Sequence, residues 1–524
     1  MREAPELAAL SAASMRYAIG FSLAPADLQR LKSLPLLAGL SAAKSAETRT
    51  YYDTPDRDLG QAGLGLYLRR HGRRVVETLE SLDAMDENGF EQPVWRVDLS
   101  HAKPDLGPLS DVAVLKGISQ NKLQPFFTCQ FSRSRLALQQ EGSASIGLSF
   151  DSGEIRTNDG RKLPFAEIEI ELERGAPQAL FDLARELSAR AKLRLQMGSK
   201  AARGYAFAAI KPGKTGYVTE RFGRVSLDRE MPSEDALATV LRGCLRHMLA
   251  NDRAALAGDS EGVHQMRVAL RRLRVAFSLF KNLMPAEQRD WAVGEIKWLA
   301  DALGPGRDWD VFGDIVARVR KSFSRDPDIA VLAKAINAQQ REAYRGLRNA
   351  LASRRYGEFA LALTAWIETR AWRRQSTLEI SVQQVTPAGL LADELLDKRY
   401  RALRKRAKKF DQLDAAGRHG LRIVVKKLRY AADMFQSIYA KKPLRRYVER
   451  LEDLQDDLGL LNDIATSESL VRSLKRPKGQ EAALKRAVAL VKGWCAHTTE
   501  SRVPKLGKRL KRLHAAEPFW PRPE

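Results

Sequence analysis

From Arg16 to about Phe207 the chain alternates apolar and polar residues with period two. The clearest runs are Arg16-Tyr17-Ala18-Ile19-Gly20-Phe21, Gly65-Leu66-Tyr67-Leu68-Arg69 and Glu167-Ile168-Glu169-Ile170-Glu171-Leu172-Glu173. Successive side chains of a strand leave opposite faces of a sheet, so alternation predicts strands. In the last run four glutamates share one face, and Ile168, Ile170 and Leu172 share the other. Helical patches at Pro25–Ser33 and Ala179–Arg190 interrupt the strands, the first with proline at a tolerated first position. This half reads as α+β. Beyond about residue 234 apolar residues recur three or four apart nearly throughout, which predicts an all-α half. Between them, 211–233 is rich in Gly, Pro and charge and reads as a linker. Its Gly213-Lys214-Thr215 resembles the end of a phosphate-binding loop. That loop needs a glycine five positions before the Gly-Lys pair, and Ala208 stands there.

The helical half repeats itself. His264 and Arg267 recur as His419 and Arg422, at an offset of 419 − 264 = 155. The same offset carries Arg271, Arg272, Leu273 and Arg274 onto Lys426, Lys427, Leu428 and Arg429. It also carries Asp301, Leu303, Gly304 and Asp308 onto Asp456, Leu458, Gly459 and Asp463. The expectation is two duplicated helical bundles, repeat one over 234–372 and repeat two over 391–515. They are joined near 373–390, where the helical pattern is lost. Pseudo-twofold symmetry would let equivalent surfaces converge on one site.

Charge sharpens the picture. The 524 residues carry 88 Lys+Arg against 64 Asp+Glu, a net charge of +24. Residues 1–220 hold 29 basic and 27 acidic side chains (29 − 27 = +2), whereas 221–524 hold 59 and 37 (59 − 37 = +22). Nearly the whole excess lies in the helical half, which should attract a polyanion by long-range steering. Nucleic acid, polyphosphate and an anionic membrane surface are all admitted by charge alone. Cys129, Cys244 and Cys495 are too far apart in sequence for a CxxC motif, which fits a reducing cytoplasm. No apolar run approaches the ~18 residues of a membrane span, and the N-terminus lacks the pattern of a signal peptide. Residues 1–14 read as an N-terminal extension, with either Met1 or Met15 as the start.

On a helix turning ~100° per residue, His264, Arg267, Arg271 and Arg274 fall within ~80° of one another. The stripe lies on the shoulder of the apolar face formed by Val263, Met266, Leu270, Leu273 and Phe277. His419, Arg422, Lys426 and Arg429 copy it beside Leu421, Val425 and Leu428. Most charge runs are solvated faces. Here acidic residues almost never interleave, each stripe begins with His, and the pattern survives duplication, so anion binding is favoured. Arg offers planar bidentate donors to phosphate and Lys a mobile point charge. Each histidine is read either as a helix-embedded ring bonded to a buried group or as a phosphate contact. Metal ligation lacks a second His or Cys at ligand spacing. The stretches Leu303-Gly304-Pro305-Gly306-Arg307-Asp308 and Leu458-Gly459 to Asn462-Asp463 read as a helix end and capped restart. Their aspartates are expected to cap helices or orient the arginines.

These residues resemble the CHAD family: a His-x-x-Arg helix running into Arg/Lys-Arg/Lys-Leu-Arg, then Leu-Gly followed by Arg/Asn-Asp, over roughly 234–515. The resemblance implies inorganic polyphosphate as ligand of a basic central channel, and targeting to polyphosphate granules. Residues 15–210 resemble a CYTH domain, the fold of triphosphate tunnel metalloenzymes. The resemblance rests on Tyr51-Tyr52-Asp53-Thr54-Pro55, Leu68-Arg69-Arg70, Asp151 to Ile155, Glu167 to Gly175, and Ser199-Lys200 to Arg203-Gly204-Tyr205. It implies an antiparallel β-barrel, or tunnel, with flanking helices. In it, acidic residues hold Mg²⁺ or Mn²⁺ and basic ones hold the triphosphate of an inorganic triphosphatase.

The departures are specific. Where the family opens with Glu-x-Glu-x-Lys, the aligned positions are Arg16, Ala18 and Gly20. Its Thr-Leu-Lys strand becomes Thr78-Leu79-Glu80, its Glu-x-Glu strand becomes Val94-Trp95-Arg96, and one of two alternating arginines becomes Tyr67. Arg69, Arg133, Arg135, Asp151, Glu167, Glu169, Glu171, Lys200 and Arg203 persist, and are read as a charge-paired interior. The expectation is a non-catalytic or weakly catalytic barrel, serving as scaffold or partner surface. Triphosphate hydrolysis is the enzymatic alternative, with Glu77 or Glu80 replacing the lost ligands. Non-specific nucleic-acid binding is the third reading, disfavoured because Trp298, Trp309 and Tyr430 are isolated. Membrane-surface binding lacks a helix with a suitable apolar face.

Overall fold

The computed structural model describes residues 13–521 except 73, 87–88, 141–143, 211–217, 324–325, 409 and 476–478. Most of the expected N-terminal extension, and the Gly213-Lys214-Thr215 stretch, lie outside the described residues. The chain divides into two compact units, Met1–Val218 with Ser353–Thr369, and Thr219–Ala352 with Arg370–Glu524.

The first unit begins with nine strands among the described residues. They are β1 (Ser14–Ser22), β2 (Ala43–Asp53), β3 (Leu64–His71), β4 (Arg74–Ser81), β5 (Glu91–Leu99), β6 (Gln124–Gln140), β7 (Ala144–Thr157), β8 (Lys162–Arg174) and β9 (Arg194–Gln196). They pair in the order β5-β4-β3-β2-β6-β7-β8-β1-β9. Antiparallel pairing of β5 back onto β1 closes eight of them into a barrel, which removes the open edges a sheet would otherwise expose. Helices α1 (Pro25–Lys32), α2 (Asp58–Gln61), α3 (Pro177–Ser188) and α4 (Lys200–Ala209) flank it. The alternation of β8 is used in an inverted sense. Ile168 and Ile170 are fully buried where α1 and α3 pack on that strand. Glu167, Glu169 and Glu171 line an interior cavity of about 640 Å³. Gly204 lets α4 settle onto the barrel, since a Cβ there would come within 2.1 Å of the Phe127 ring.

The second unit opens with α5 (Ser233–Ala250), α6 (Asp252–Ala257), α7 (Ser260–Leu279), α8 (Ala286–Ser322) and α9 (Asp328–Leu351). The next helix, α10 (Arg354–Glu368), falls within the span expected for repeat one but groups with the first unit. There Arg354 donates to the Ser188 carbonyl at 2.9 Å, and Arg194 lies over the Tyr356 ring. The chain continues with α11 (Leu378–Val385), α12 (Ala388–Ala407), α13 (Ala415–Met434), α14 (Lys441–Ser473) and α15 (Glu481–His514).

Both ends of α7 and α13 differ by 155 residues (415 − 260 and 434 − 279). So do their N-caps: Asp259 accepts from the Gly262 amide and Asp414 from the Gly417 amide, each at 2.7 Å. Counterparts also meet in space. Helix α7 packs on α13, α8 on α14 and α9 on α15, and the Phe280 and Phe435 rings lie 5.7 Å apart. Pro232 and Pro387, again 155 apart, form an antiparallel bridge.

Two expectations need correction. The Leu303–Asp308 stretch is no helix end, because α8 runs unbroken for 37 residues with Pro305 inside it. A proline inside a helix forfeits one backbone bond, which α8 accommodates without a break. Beside it Gly304 gives room to the Arg267 guanidinium, which a Cβ would approach to 3.0 Å, and Gly306 lies against Tyr344 and Leu347 of α9. The stretch from Leu458 to Asp463, 155 residues further on, likewise lies within continuous α14. Secondly, the joint near 373–390 is partly helical: Thr377 caps α11, accepting from the Ile380 amide.

Candidate polyanion-binding site

In the second unit, α7 and α13 bring Arg267, Arg271, Arg422 and Lys426 into one half-buried cluster, joined by Arg307 from α8. Burial pulls Lys426 down to about 7, assisted by Arg422 and Arg271. Arg422 is likewise lowered, by burial ahead of Arg271. Arg267 is lowered by burial, with Arg271 and Arg307 adding to it. Compensation is meagre. Arg267 reaches the Ala300 carbonyl at 3.4 Å and Asp308 only at 3.8 Å. Arg271 reaches the Tyr430 hydroxyl at 3.4 Å. The buried Nε atoms of Arg267 and Arg422 have no hydrogen-bond partner. Asp308 and Asp463, counterparts from the two repeats, face the cluster; burial raises both, and each feels Arg307.

The eight stripe residues therefore separate. His264 borders the cluster, and burial followed by Arg307 pushes it down to about 4, so it is neutral at pH 7. His419 is exposed, with Nδ1 2.6 Å from the Asn462 side-chain oxygen. Arg274 is exposed and, with Arg399, faces Lys427. Arg429 is held by Glu452 at 3.0 Å and lies 4.0 Å from Asp433. Arg307 is a site cation that neither basic stripe contains. Its counterpart in repeat two is Asn462, so one motif position supplies a cation from one repeat and an amide from the other. Of the acidic pieces, Asp308 faces Arg267, whereas Asp310 accepts from Gln340 and Tyr344 of α9.

The barrel cavity is built otherwise. Arg133 binds Asp151 at 2.6 Å and Glu169 at 3.3 Å. Arg135 binds Glu171 at 2.8 Å. Lys200 bridges Asp151 and Glu167, and Arg203 also clasps Glu167. Arg49 and Arg69 meet at Glu47, at 2.9 and 3.5 Å. Arg16 places its guanidinium 2.6 Å from Glu169 and 3.1 Å from Glu171. Burial alone would lower Arg16 and raise Glu169, but their mutual attraction wins: Arg16 rises and Glu169 falls well below the usual carboxylate range. Glu80 lines the cavity and accepts from the Tyr51 hydroxyl. Glu77 does not line it. It shares strand parity with Leu79, which packs outside the lumen with Leu106 and Leu109, and accepts from the Asp105 amide. Burial raises Glu77 to about 7.

A divalent metal does not fit this donor set. Glu47, Glu167, Glu169 and Glu171 are each committed to guanidinium or ammonium partners. Among the described residues no group of three or more His, Cys, Asp or Glu is arranged to hold a metal ion.

The CYTH domain model matches residues 21–205 and the CHAD domain model 239–472. The chain is a CYTH–CHAD two-domain protein. Its barrel is the CYTH domain and its helical cluster lies in the CHAD domain. An inorganic triphosphatase of Haemophilus influenzae is 29% identical over 157 residues, 30% of this chain and 44% of the relative. An uncharacterized protein of Mycobacterium tuberculosis is 29% identical over 215 residues, covering 38% of this chain and 39% of the relative. The chain thus spans less than half the length of these curated relatives. The crystal structure of the CHAD domain from Ricinus communis is 28% identical with a TM-score of 0.49, covering 58% of this chain and 98% of that one.

Proposed function

We propose that the CHAD domain binds inorganic polyphosphate, and that this binding brings the chain to polyphosphate granules in the cytoplasm. The observation carrying this reading is the Arg267, Arg422 and Lys426 cluster, three half-buried cations from two helices with no carboxylate of the described residues inside 3.5 Å. Buried cations are normally paired. A repeating anion of high charge density supplies the missing partners for all three at once, and the spread of Arg307 and Arg271 around them suits successive phosphates. Duplex or single-stranded nucleic acid fits less well, because Trp309 and Tyr430 are buried and cannot stack on bases. No described helix is long and apolar enough to cross a membrane.

Triphosphate hydrolysis in the CYTH domain is the second reading, favoured by the alignment with the Haemophilus influenzae protein. The occupied carboxylates argue against it. Calorimetric titration with long-chain polyphosphate and with duplex DNA tests the first reading, and phosphate release from triphosphate with Mg²⁺ or Mn²⁺ tests the second. Paired Arg267→Glu and Arg422→Glu should weaken polyphosphate binding by about a hundredfold, the scale of two lost charge-assisted contacts. Unchanged binding by a folded double variant would sink the assignment, and steady phosphate release would restore the enzyme.

A further inference from the structure

The cavity of the CYTH domain is lined by nine cationic and six acidic side chains, an excess of three positive charges. Asp151, buried behind Arg133 and Lys200, and Glu173, paired with Arg135 at 2.7 Å, reduce the excess to one. The carboxylates are thus more than matched, and no metal ion is needed to make the lumen attractive to an anion. Arg16 is central to this balance. It stands on β1, which pairs antiparallel with β8, and reaches across to two glutamates of that strand, Glu169 and Glu171. Beside it on β5, which also pairs with β1, Arg96 lines the same cavity. Glu80, from β4, is close enough to help hold the charge on Arg16. Positions 16 and 96 bear cations where the family resemblance implies carboxylates, and position 80 bears a carboxylate where it implies lysine. The reversals meet in one cavity, and two gained cations against one gained carboxylate tilt it toward positive charge.

We propose that this cavity is a metal-independent receptor for a small polyvalent oxyanion of the oligophosphate class, with Arg16 neutralising the glutamates that a divalent cation would otherwise bridge. The anion is received by cations that remain under-used. Arg69 has a contact to Glu47 at 3.5 Å, and Arg96 is exposed with one 3.5 Å contact to the Ser14 hydroxyl. Lys44 is exposed at the same cavity. Guanidinium forks suit phosphate oxygens, and a volume near 640 Å³ is that of a small-molecule site. No bond is made or broken in this step; the anion is bound and released intact.

The test uses the full chain carrying Arg267→Glu and Arg422→Glu, so that the helical cluster is silenced and its fate is read separately. Tripolyphosphate is titrated calorimetrically in EDTA and again with Mn²⁺. Binding of comparable affinity in both conditions is expected. Adding Arg16→Gln removes the shorter of the two cation contacts to Glu169 and one of the two to Glu171, leaving Arg133 and Arg135. Affinity in EDTA should then fall by roughly tenfold or more, the scale of one charge-assisted contact, and recover with Mn²⁺. Arg69→Gln with Arg96→Gln, at less buried positions, should weaken binding in both conditions without loss of the cooperative melt. Binding that requires metal in the Arg16 chain overturns the proposal. So does indifference to Arg16→Gln. Should that variant not fold, indifference to the Arg69 and Arg96 changes overturns it equally.

Discussion

The two units handle buried positive charge in opposite ways. In the barrel, Arg16, Arg133 and Lys200 are buried against carboxylates, and attraction outweighs burial, so each holds its proton more tightly than in water. In the helical unit, Arg267, Arg422 and Lys426 are buried without comparable partners, and each holds its proton less tightly. The same residue types therefore play different parts. A cation whose charge is answered inside the protein is structural, and its removal strands a carboxylate. A cation left unanswered stores unfavourable desolvation that a ligand can relieve.

Substitutions that delete one charge from each unit should break this symmetry. Lys200→Met leaves Asp151 and Glu167 under-compensated and is expected to destabilise folding by about 3–5 kcal/mol, the usual scale for breaking a buried pair. Urea unfolding followed by circular dichroism reads it. A smaller, opposite effect is expected from Lys426→Met: the ligand-free chain should be unchanged or gain about 1 kcal/mol as a desolvated charge is removed. Polyphosphate should stabilise this variant less than the parent, because binding stabilises only by its own affinity. If both substitutions cost the same, the contrast between the units is wrong.

The subtlest effect is on pH dependence. Lys426 has a folded pKa of about 7 against an ordinary 10.5. Its burial is unfavourable below the folded value, and its contribution improves as pH rises across that window, where only the unfolded chain keeps the proton. Polyphosphate favours the ammonium form, so binding near pH 7.5 should take up part of a proton and weaken as pH rises further. Titrations in buffers of different ionisation enthalpy would show it. Proton release instead of uptake would place Lys426 away from the anion.

Much of this was legible because it depends on local spacing. Period-two runs marked β1, β3 and β8, and a constant offset marked α7 with α13. Alternation could not say which face of β8 the barrel would enclose, and here the glutamates went inside. The helical-wheel stripe placed Arg274 and Arg429 beside the others, but only packing shows that Glu452 of α14 forms an ion pair with Arg429 whereas Asp463 acts on Arg422 without one among the described residues. Pro305 reads locally as a breaker; the fit of Gly304 beneath Arg267 and of Gly306 against α9 is a tertiary fact that overrides it. Arg307 stands at the Arg/Asn-Asp position, but its counterpart, Asn462, does not share its charge, so duplication does not mark it as a site cation.

The bridge between Pro232 and Pro387 has a bearing on how the chain is made. Neither α5 nor α12 has a side-chain N-cap. Instead the Ser233 amide donates to the Thr386 carbonyl at 2.9 Å, and the Ala388 amide to the Met231 carbonyl at 2.8 Å. Each helix is thus capped by the entry strand of the other, and exposed helix ends need such partners. On the ribosome, the Ser233 amide of α5 must wait for more than 150 residues of further synthesis before it meets this partner. Until then the Ser233 amide has only water as a partner, so the second half of the domain completes the helix that opens the first.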